Sequence, residues 1–184
     1  MHGLYLAAVF TIGWIPVFVY RTEEFTEALP SYGALERVWS FLTPAALALH
    51  CTLAGALLGG LREVPLWAAG SGAAVYGTAV VFWLWGRPLI SPLHVRRLPD
   101  EPPPRLRRDG AFGVVRHPLY FSYLLACAAP VIAARYAVLL ATFALCALVL
   151  AGRAIVEERR LRAQMGAEYD DYCRSVKRLL PFVW

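Results

Sequence analysis

Two groups of polar and aromatic residues in the second half of the sequence have side chains suited to ligand binding or catalysis. The first, Arg116-His117-Pro118 with Tyr120, stands at the start of an apolar stretch. The second comprises Glu157-Glu158 and three later side chains, Tyr169, Tyr172 and Arg178. Taken singly, an Arg-His pair is typical of an interfacial anchor, and Glu-Glu beside arginines is typical of a solvated helix face. Only together do the two groups point to a binding site.

The bulk composition indicates that these groups belong to a membrane protein. Of 184 residues, 59% are hydrophobic and 17% are charged, and the mean hydropathy is +0.51. A helix needs about 20 mostly apolar residues to cross a bilayer. We therefore predict an all-α, multi-pass membrane bundle of about five helices, forming a single domain over residues 1–184. The predicted spans are residues 4–20, 38–60, 65–86, 119–134 and 136–152.

The distribution of basic residues predicts the orientation of the bundle. With five spans, the alternate compartments hold 16 and two of the 18 Lys and Arg residues. By the positive-inside rule, the amino terminus lies outside, while the 87–116 loop and the tail from residue 153 onward lie in the cytoplasm. The two groups are thereby predicted on one membrane face. In a bacterium this would be the inner membrane.

The polar segments have distinct predicted structures. Residues 91–109 are rich in proline and are predicted to form an extended loop. The tail, residues 153–184, is predicted to be helical, since Arg153 and Glu157, like Glu158 and Arg162, stand four residues apart. Gly166 is the expected break before a second short helix.

Other partners are not indicated. The net charge of +5 would suggest nucleic acid in a soluble protein, but 17 of the 18 basic residues are arginine, which reflects composition rather than a ligand. Cys51, Cys127 and Cys146 lie in apolar stretches and have no spacing typical of zinc ligands. We expect membrane lipids as neighbours, no metal and no nucleic acid; the oligomeric state stays open.

Taken together, the two groups resemble the isoprenylcysteine carboxyl methyltransferase and phospholipid methyltransferase superfamily. Its hallmark is Arg-His-Pro near the start of a span, followed by Glu-Glu, as in Arg116-His117-Pro118 and Glu157-Glu158 here. The resemblance covers residues 87–182. It includes the later residues Leu161, Gly166, Tyr169, Tyr172, Val176, Arg178 and Pro181. Phe112, Ser122 and Met165 depart from the usual pattern.

The resemblance implies a cofactor, S-adenosylmethionine, enclosed by residues 87–120 and 153–182. The cofactor-binding residues it implies are Arg116, His117, Pro118, Tyr120, Glu158, Tyr169, Tyr172 and Arg178. Arg87 and Arg153 are the candidates for holding the methyl acceptor, since an arginine fork suits a carboxylate. A carboxylate is already a nucleophile at neutral pH. An amine would need a base such as Glu157.

The identity of the acceptor stays open at this point. A lipid-like or hydrophobic small molecule with a carboxylate, as in an isoprenylcysteine, is the first expectation, and a phospholipid amine or a thiol is the alternative. Two rival functions remain. One is an NADPH-dependent reductase like the sterol reductases, and the other is a non-catalytic membrane scaffold.

Overall fold

The computed structural model describes residues 2–12, 33–61, 63–86 and 106–184. Within these ranges the chain is all-helical and contains no strand. Its seven helices are α1 (His2–Ile12), α2 (Ala34–Gly60), α3 (Leu66–Gly86), α4 (Ala111–Val114), α5 (Pro118–Ala134), α6 (Ala137–Met165) and α7 (Ala167–Ser175).

Three of these helices, α2, α3 and α6, are long and apolar enough to cross a membrane. They correspond to the predicted spans at 38–60, 65–86 and 136–152. The predicted span at 119–134 is the shorter apolar helix α5, which begins at Pro118. Of the span predicted at 4–20, α1 covers the first part and residues 13–20 lie outside the described residues.

The ends of the helices follow from local chemistry. Before α2, the backbone N–H of Gly33 donates to the Glu36 carboxylate at 3.0 Å, which starts the helix four residues earlier than predicted. Pro118 occupies the first turn of α5, where its missing N–H costs nothing. Arg135, with a left-handed φ of 57°, ends α5. The chain re-enters a helix at Ala137, so a tight connection of two residues joins α5 to α6.

The most extensive packing is that of α3 against α5, followed by α2 against α6 and α1 against α2. Close approach depends on small residues. A side chain at Gly152 would lie 2.4 Å from the ring of Trp39, so only glycine lets α2 and α6 meet there. The outer faces are apolar and exposed, as at Leu148 (70%) and Val81 (60%), which is compatible with lipid contact.

A buried histidine links three helices inside this bundle. His50 of α2 lies 2.8 Å through Nδ1 from the Thr142 hydroxyl of α6. Its Nε2 lies 2.9 Å from the carbonyl oxygen of Cys127 in α5. Because a carbonyl can only accept, Nε2 carries the proton, and Nδ1 of the neutral ring accepts from the hydroxyl. Hydrogen bonds of this kind hold helices together where no water is present.

The helix α6 is continuous from its apolar stretch to Met165, and Gly166, with φ of 56°, ends it as predicted. The chain after α7 then returns to the bundle, where Leu179 is buried in the same core cluster as Leu150 and Ala154 of α6. This return brings the end of the tail beside the loop that precedes α5.

Candidate functional site

Backbone pairing joins the two groups found in the sequence. The N–H of Arg116 donates to the carbonyl of Lys177 at 2.8 Å, and the N–H of His117 donates to that of Arg178 at 3.1 Å. Val115 and Lys177 form an isolated parallel bridge. The Arg-His-Pro motif is therefore held against the tail by main-chain bonds that do not depend on side-chain type.

Glu158 lies at the centre of the site, and its side chain is only 1% exposed. Its Oε1 accepts from Nε of Arg116 at 2.9 Å and from Nε of Arg178 at 2.9 Å, and lies 3.3 Å from Nε2 of His117. Its Oε2 accepts from Nη2 of Arg178, also at 2.9 Å. We call these four residues the Glu158 cluster. One carboxylate thus fastens the motif, α6 and the tail together.

The electrostatics of the Glu158 cluster favour the ionised carboxylate. Burial raises the pKa of Glu158, but hydrogen bonds from His117 and Arg178 and the charges of His117 and Arg116 outweigh it and lower the pKa to about 2. A buried charge is tolerated only when it is paired and hydrogen-bonded, as it is here. The carboxylate is therefore charged throughout the physiological range.

The guanidinium N–H groups of Arg116 donate to other groups of the protein. Besides Glu158, its guanidinium donates through Nη1 to the carbonyls of Cys173 and Val176 at the end of α7. Pro118 has a packing role, because it stands 3.4 Å from where a Cβ would lie on Gly86 at the end of α3. These two predicted cofactor residues therefore shape the walls of the site through contacts within the chain.

A second, linked group surrounds Tyr120. Its hydroxyl donates to Oε2 of Glu157 at 2.7 Å and accepts from Nε of Arg153 at 2.7 Å. The ring of Tyr120 stacks on His117, with centroids 5.3 Å apart and planes 5° from parallel. The Tyr120 hydroxyl thus bridges Arg153 and Glu157, which stand four residues apart on α6.

Among the described residues, two buried polar side-chain atoms have no hydrogen-bond partner, Nη1 of Arg153 and the hydroxyl of Tyr169. The Arg153 residue is 9% exposed and Tyr169 is 1% exposed. Burial raises the pKa of Tyr169, so its hydroxyl stays a protonated donor. Buried polar atoms are nearly always satisfied, and each exception needs an explanation, such as a catalytic role, a water molecule or an ion. Both atoms belong to residues predicted for the site.

The two tyrosines of the tail form a cluster of their own. Their rings lie 6.0 Å apart, edge to face, and Leu106, Leu161 and Met165 pack around them. The hydroxyl of Tyr172 donates to the carbonyl of Phe112 at 2.6 Å, which fixes α4 against α7. The hydroxyl of Tyr172 thus makes a hydrogen bond within the protein, whereas the hydroxyl of Tyr169 has no hydrogen-bond partner among the described residues.

Seven of the predicted site residues fall into two linked sets. Arg116, His117, Glu158 and Arg178 form one contact network, Tyr120, Arg153 and Glu157 form the other, and the stack of His117 on Tyr120 joins them. Arg87 lies outside the described residues, as does the loop over residues 87–105.

Sequence reasoning missed two aromatic contributors. Trp184 stacks under the guanidinium of Arg178, 4.6 Å from Cζ to the ring centroid, and Trp39 covers Gly152 next to Arg153. Neither stands at a diagnostic spacing from its partner, so no pattern in the sequence signalled them.

Comparisons with family models, with curated proteins and with solved structures find no match to this chain.

Proposed function

We propose that this chain is a multi-pass membrane enzyme that transfers a methyl group from S-adenosylmethionine to a membrane-accessible acceptor at the cytoplasmic face, most like isoprenylcysteine carboxyl O-methylation. The observation that carries the proposal is the buried guanidinium of Arg153, whose Nη1 has no partner. It stands beside the Arg116-His117-Pro118 and Glu157-Glu158 motifs that gave the family resemblance. The three apolar helices support the membrane setting.

The residues present fit the cofactor. Its amino-acid end and ribose need polar partners, and the unpaired hydroxyl of Tyr169 is one. Its sulfonium is a cation, and aromatic faces hold a desolvated cation with about 2 kcal/mol. The Tyr120 ring is a face of this kind, and it already carries the Arg153 guanidinium, 5.8 Å from Cζ to the ring centroid. Arg116, Glu158 and Arg178 serve as positioning residues, because both guanidiniums already bind the Glu158 carboxylate.

The charge balance of the site favours an anionic acceptor. The guanidiniums of Arg116, Arg153 and Arg178 outnumber the carboxylates of Glu157 and Glu158 by one. A carboxylate at Arg153 would take the free Nη1 and offset this excess charge. Arginine binds carboxylates through its planar fork, so the acceptor oxygen would be oriented as well as attracted.

The reaction then requires orientation rather than proton transfer. When bound, S-adenosylmethionine would supply an electrophilic methyl group, to which the acceptor oxygen would form a C–O bond as the C–S bond breaks and leaves its electron pair on the sulfur. Tyr120 fixes the Arg153 guanidinium through its hydroxyl, and Glu157 fixes Tyr120 in turn. Holding the acceptor in line with the methyl carbon is the contribution that such positioning makes to the rate.

The experiment is methyl transfer by the purified protein in nanodiscs. It uses S-adenosylmethionine with a labelled methyl group and a membrane extract as the acceptor source, followed by mass spectrometry of the labelled product. Arg153→Met is the test variant. Arg159→Met, an exposed arginine on the same helix, is its matched control. We expect a labelled methyl ester, its loss in the Arg153 variant, and wild-type behaviour in the control.

Binding of S-adenosylhomocysteine distinguishes lost chemistry from lost fold. A ligand at 100 times its Kd stabilises the folded state by about 2.7 kcal/mol. Arg153→Met should keep this stabilisation, because Arg153 is assigned to the acceptor. A labelled amine as product would refute the carboxylate assignment, and equal transfer by both variants would refute the role of Arg153.

A further inference from the structure

The last residues of the tail form a closed turn attached to the end of the bundle. We call residues 179–184 the C-terminal turn. Its first residue, Leu179, is buried in the same core cluster as Leu150 and Ala154 of α6. Two apolar side chains of the turn are largely exposed: Phe182 is 92% exposed and Val183 is 73% exposed. The turn therefore presents an apolar tip at the level of the predicted membrane surface.

Backbone bonds hold this tip in place. The N–H groups of Leu179 and Leu180 both donate to the carbonyl of Trp184 at 2.8 Å. Phe182 has a φ of 65°, in the left-handed region that bulky residues rarely adopt. The closed turn imposes this conformation, and the result is that the Phe182 ring points away from the protein rather than into its core.

The chain that leads into the turn carries cations. Lys177 is exposed, Arg174 is exposed and pairs with Asp171 at 3.1 Å, and the guanidinium of Arg178, which binds Glu158, lies over the Trp184 ring. An apolar tip beside cations is the arrangement by which peripheral segments bind an anionic bilayer surface. Aromatic side chains are likewise enriched at that depth.

We infer that the C-terminal turn docks into the headgroup and acyl boundary of the bilayer, with Phe182 and Val183 among the lipids and Lys177 facing anionic headgroups. This rests on the membrane embedding in the proposed function but is independent of methyl transfer. Docking would also hold Trp184, and with it Arg178, in place on Glu158. The bilayer surface would thereby help to order the site.

The test is a depth measurement with nitroxide spin labels in nanodiscs containing anionic lipid. Cys173→Ser removes the one half-buried thiol, while Cys51, Cys127 and Cys146 are buried. Single labels are then attached at Val183→Cys, at Ala167→Cys on the exposed start of α7, and at Leu145→Cys on the outer face of α6. Collisions with oxygen, which concentrates in the bilayer, are compared with collisions with a water-soluble nickel complex.

We expect the oxygen-to-nickel ratio at position 183 to be several-fold higher than at position 167 and below that at 145. Phe182→Asp should lower the ratio at 183 toward that at 167. Aspartate tolerates a left-handed backbone better than phenylalanine, so this variant keeps the turn.

Equal ratios at 183 and 167, with a high ratio at 145, would overturn the docking and leave the embedding intact. A label at 183 shielded from both reagents would also overturn it, because the tip would then be covered by protein. A water-like ratio at 145 would instead refute the membrane embedding.

Discussion

Replacing Glu158 by glutamine should strongly destabilise the protein, whereas the same change at the neighbouring Glu157 should be mild. The Glu158 side chain is 1% exposed, and those of its partners Arg116 and Arg178 are 7% and 18% exposed. Removing one partner of a buried ion pair leaves uncompensated charge and costs about 3–5 kcal/mol. The pKa gives a similar figure, because a fall from 4.5 to about 2 corresponds to about 3 kcal/mol.

Glu157 is the matched control because it is adjacent on α6 and undergoes the identical substitution. Its side chain is 19% exposed, accepts from the Tyr120 hydroxyl at 2.7 Å and lies 3.8 Å from Nδ1 of His117. A glutamine oxygen still accepts that bond, so we expect a loss of about 1 kcal/mol.

The assay for this pair is the free energy of unfolding of the two variants in mixed micelles titrated with a denaturing detergent. Equal destabilisation by Glu158→Gln and Glu157→Gln would refute the reasoning that Glu158 is the residue that fastens the tail to the motif.

Three further predictions concern stability. The pKa of Glu158 is lowered in the folded protein, so the stability that the Glu158 carboxylate contributes is complete above about pH 4.5 and is lost as the pH falls to about 2. The free energy of unfolding should therefore depend on pH in this range for the wild type, and this pH dependence should be lost in Glu158→Gln. Gly152→Ala forces a methyl group against the Trp39 ring and should cost about 1–3 kcal/mol of stability. Gly77→Ala places its methyl group in open space and should stabilise α3 by about 0.5–1 kcal/mol. Equal effects of the two substitutions on the unfolding midpoint would contradict this prediction. His50→Leu removes two interhelical hydrogen bonds and should lower the free energy of unfolding by about 0.6–1.7 kcal/mol in the same titration. An unchanged unfolding midpoint would show that these hydrogen bonds do not stabilise the bundle.

The helices were largely predictable because their causes are local. Apolar length indicated α2, α3, α5 and α6, and Gly166 marked the end of α6. The predicted span began four residues after the start of α2, because residues 34–37 are partly polar. The hydrogen bond between Gly33 and Glu36, not an apolar run, defines the start of this helix. Local sequence features thus predicted the bounds of these helices to within a few residues.

The sequence predicted which residues belong to the site but not which contacts they make. The sequence brought the Arg-His-Pro and Glu-Glu motifs to one membrane face, and the structure brings those residues into contact. Which partner each side chain takes depends on distant segments. Arg116 binds carbonyls of the tail, and Arg153 binds the hydroxyl of Tyr120. No spacing in the sequence specifies these long-range choices.

Calorimetric titration of the purified protein in nanodiscs with S-adenosylhomocysteine tests the central claim most directly, because it does not require the acceptor to be known. NADPH is titrated in parallel, since a reductase is the rival enzyme. We predict saturable binding of S-adenosylhomocysteine, weakened by Tyr169→Phe, which removes the unpaired hydroxyl, and no binding of NADPH. Tight binding of NADPH without binding of S-adenosylhomocysteine, or binding of neither, would contradict the proposed methyltransferase.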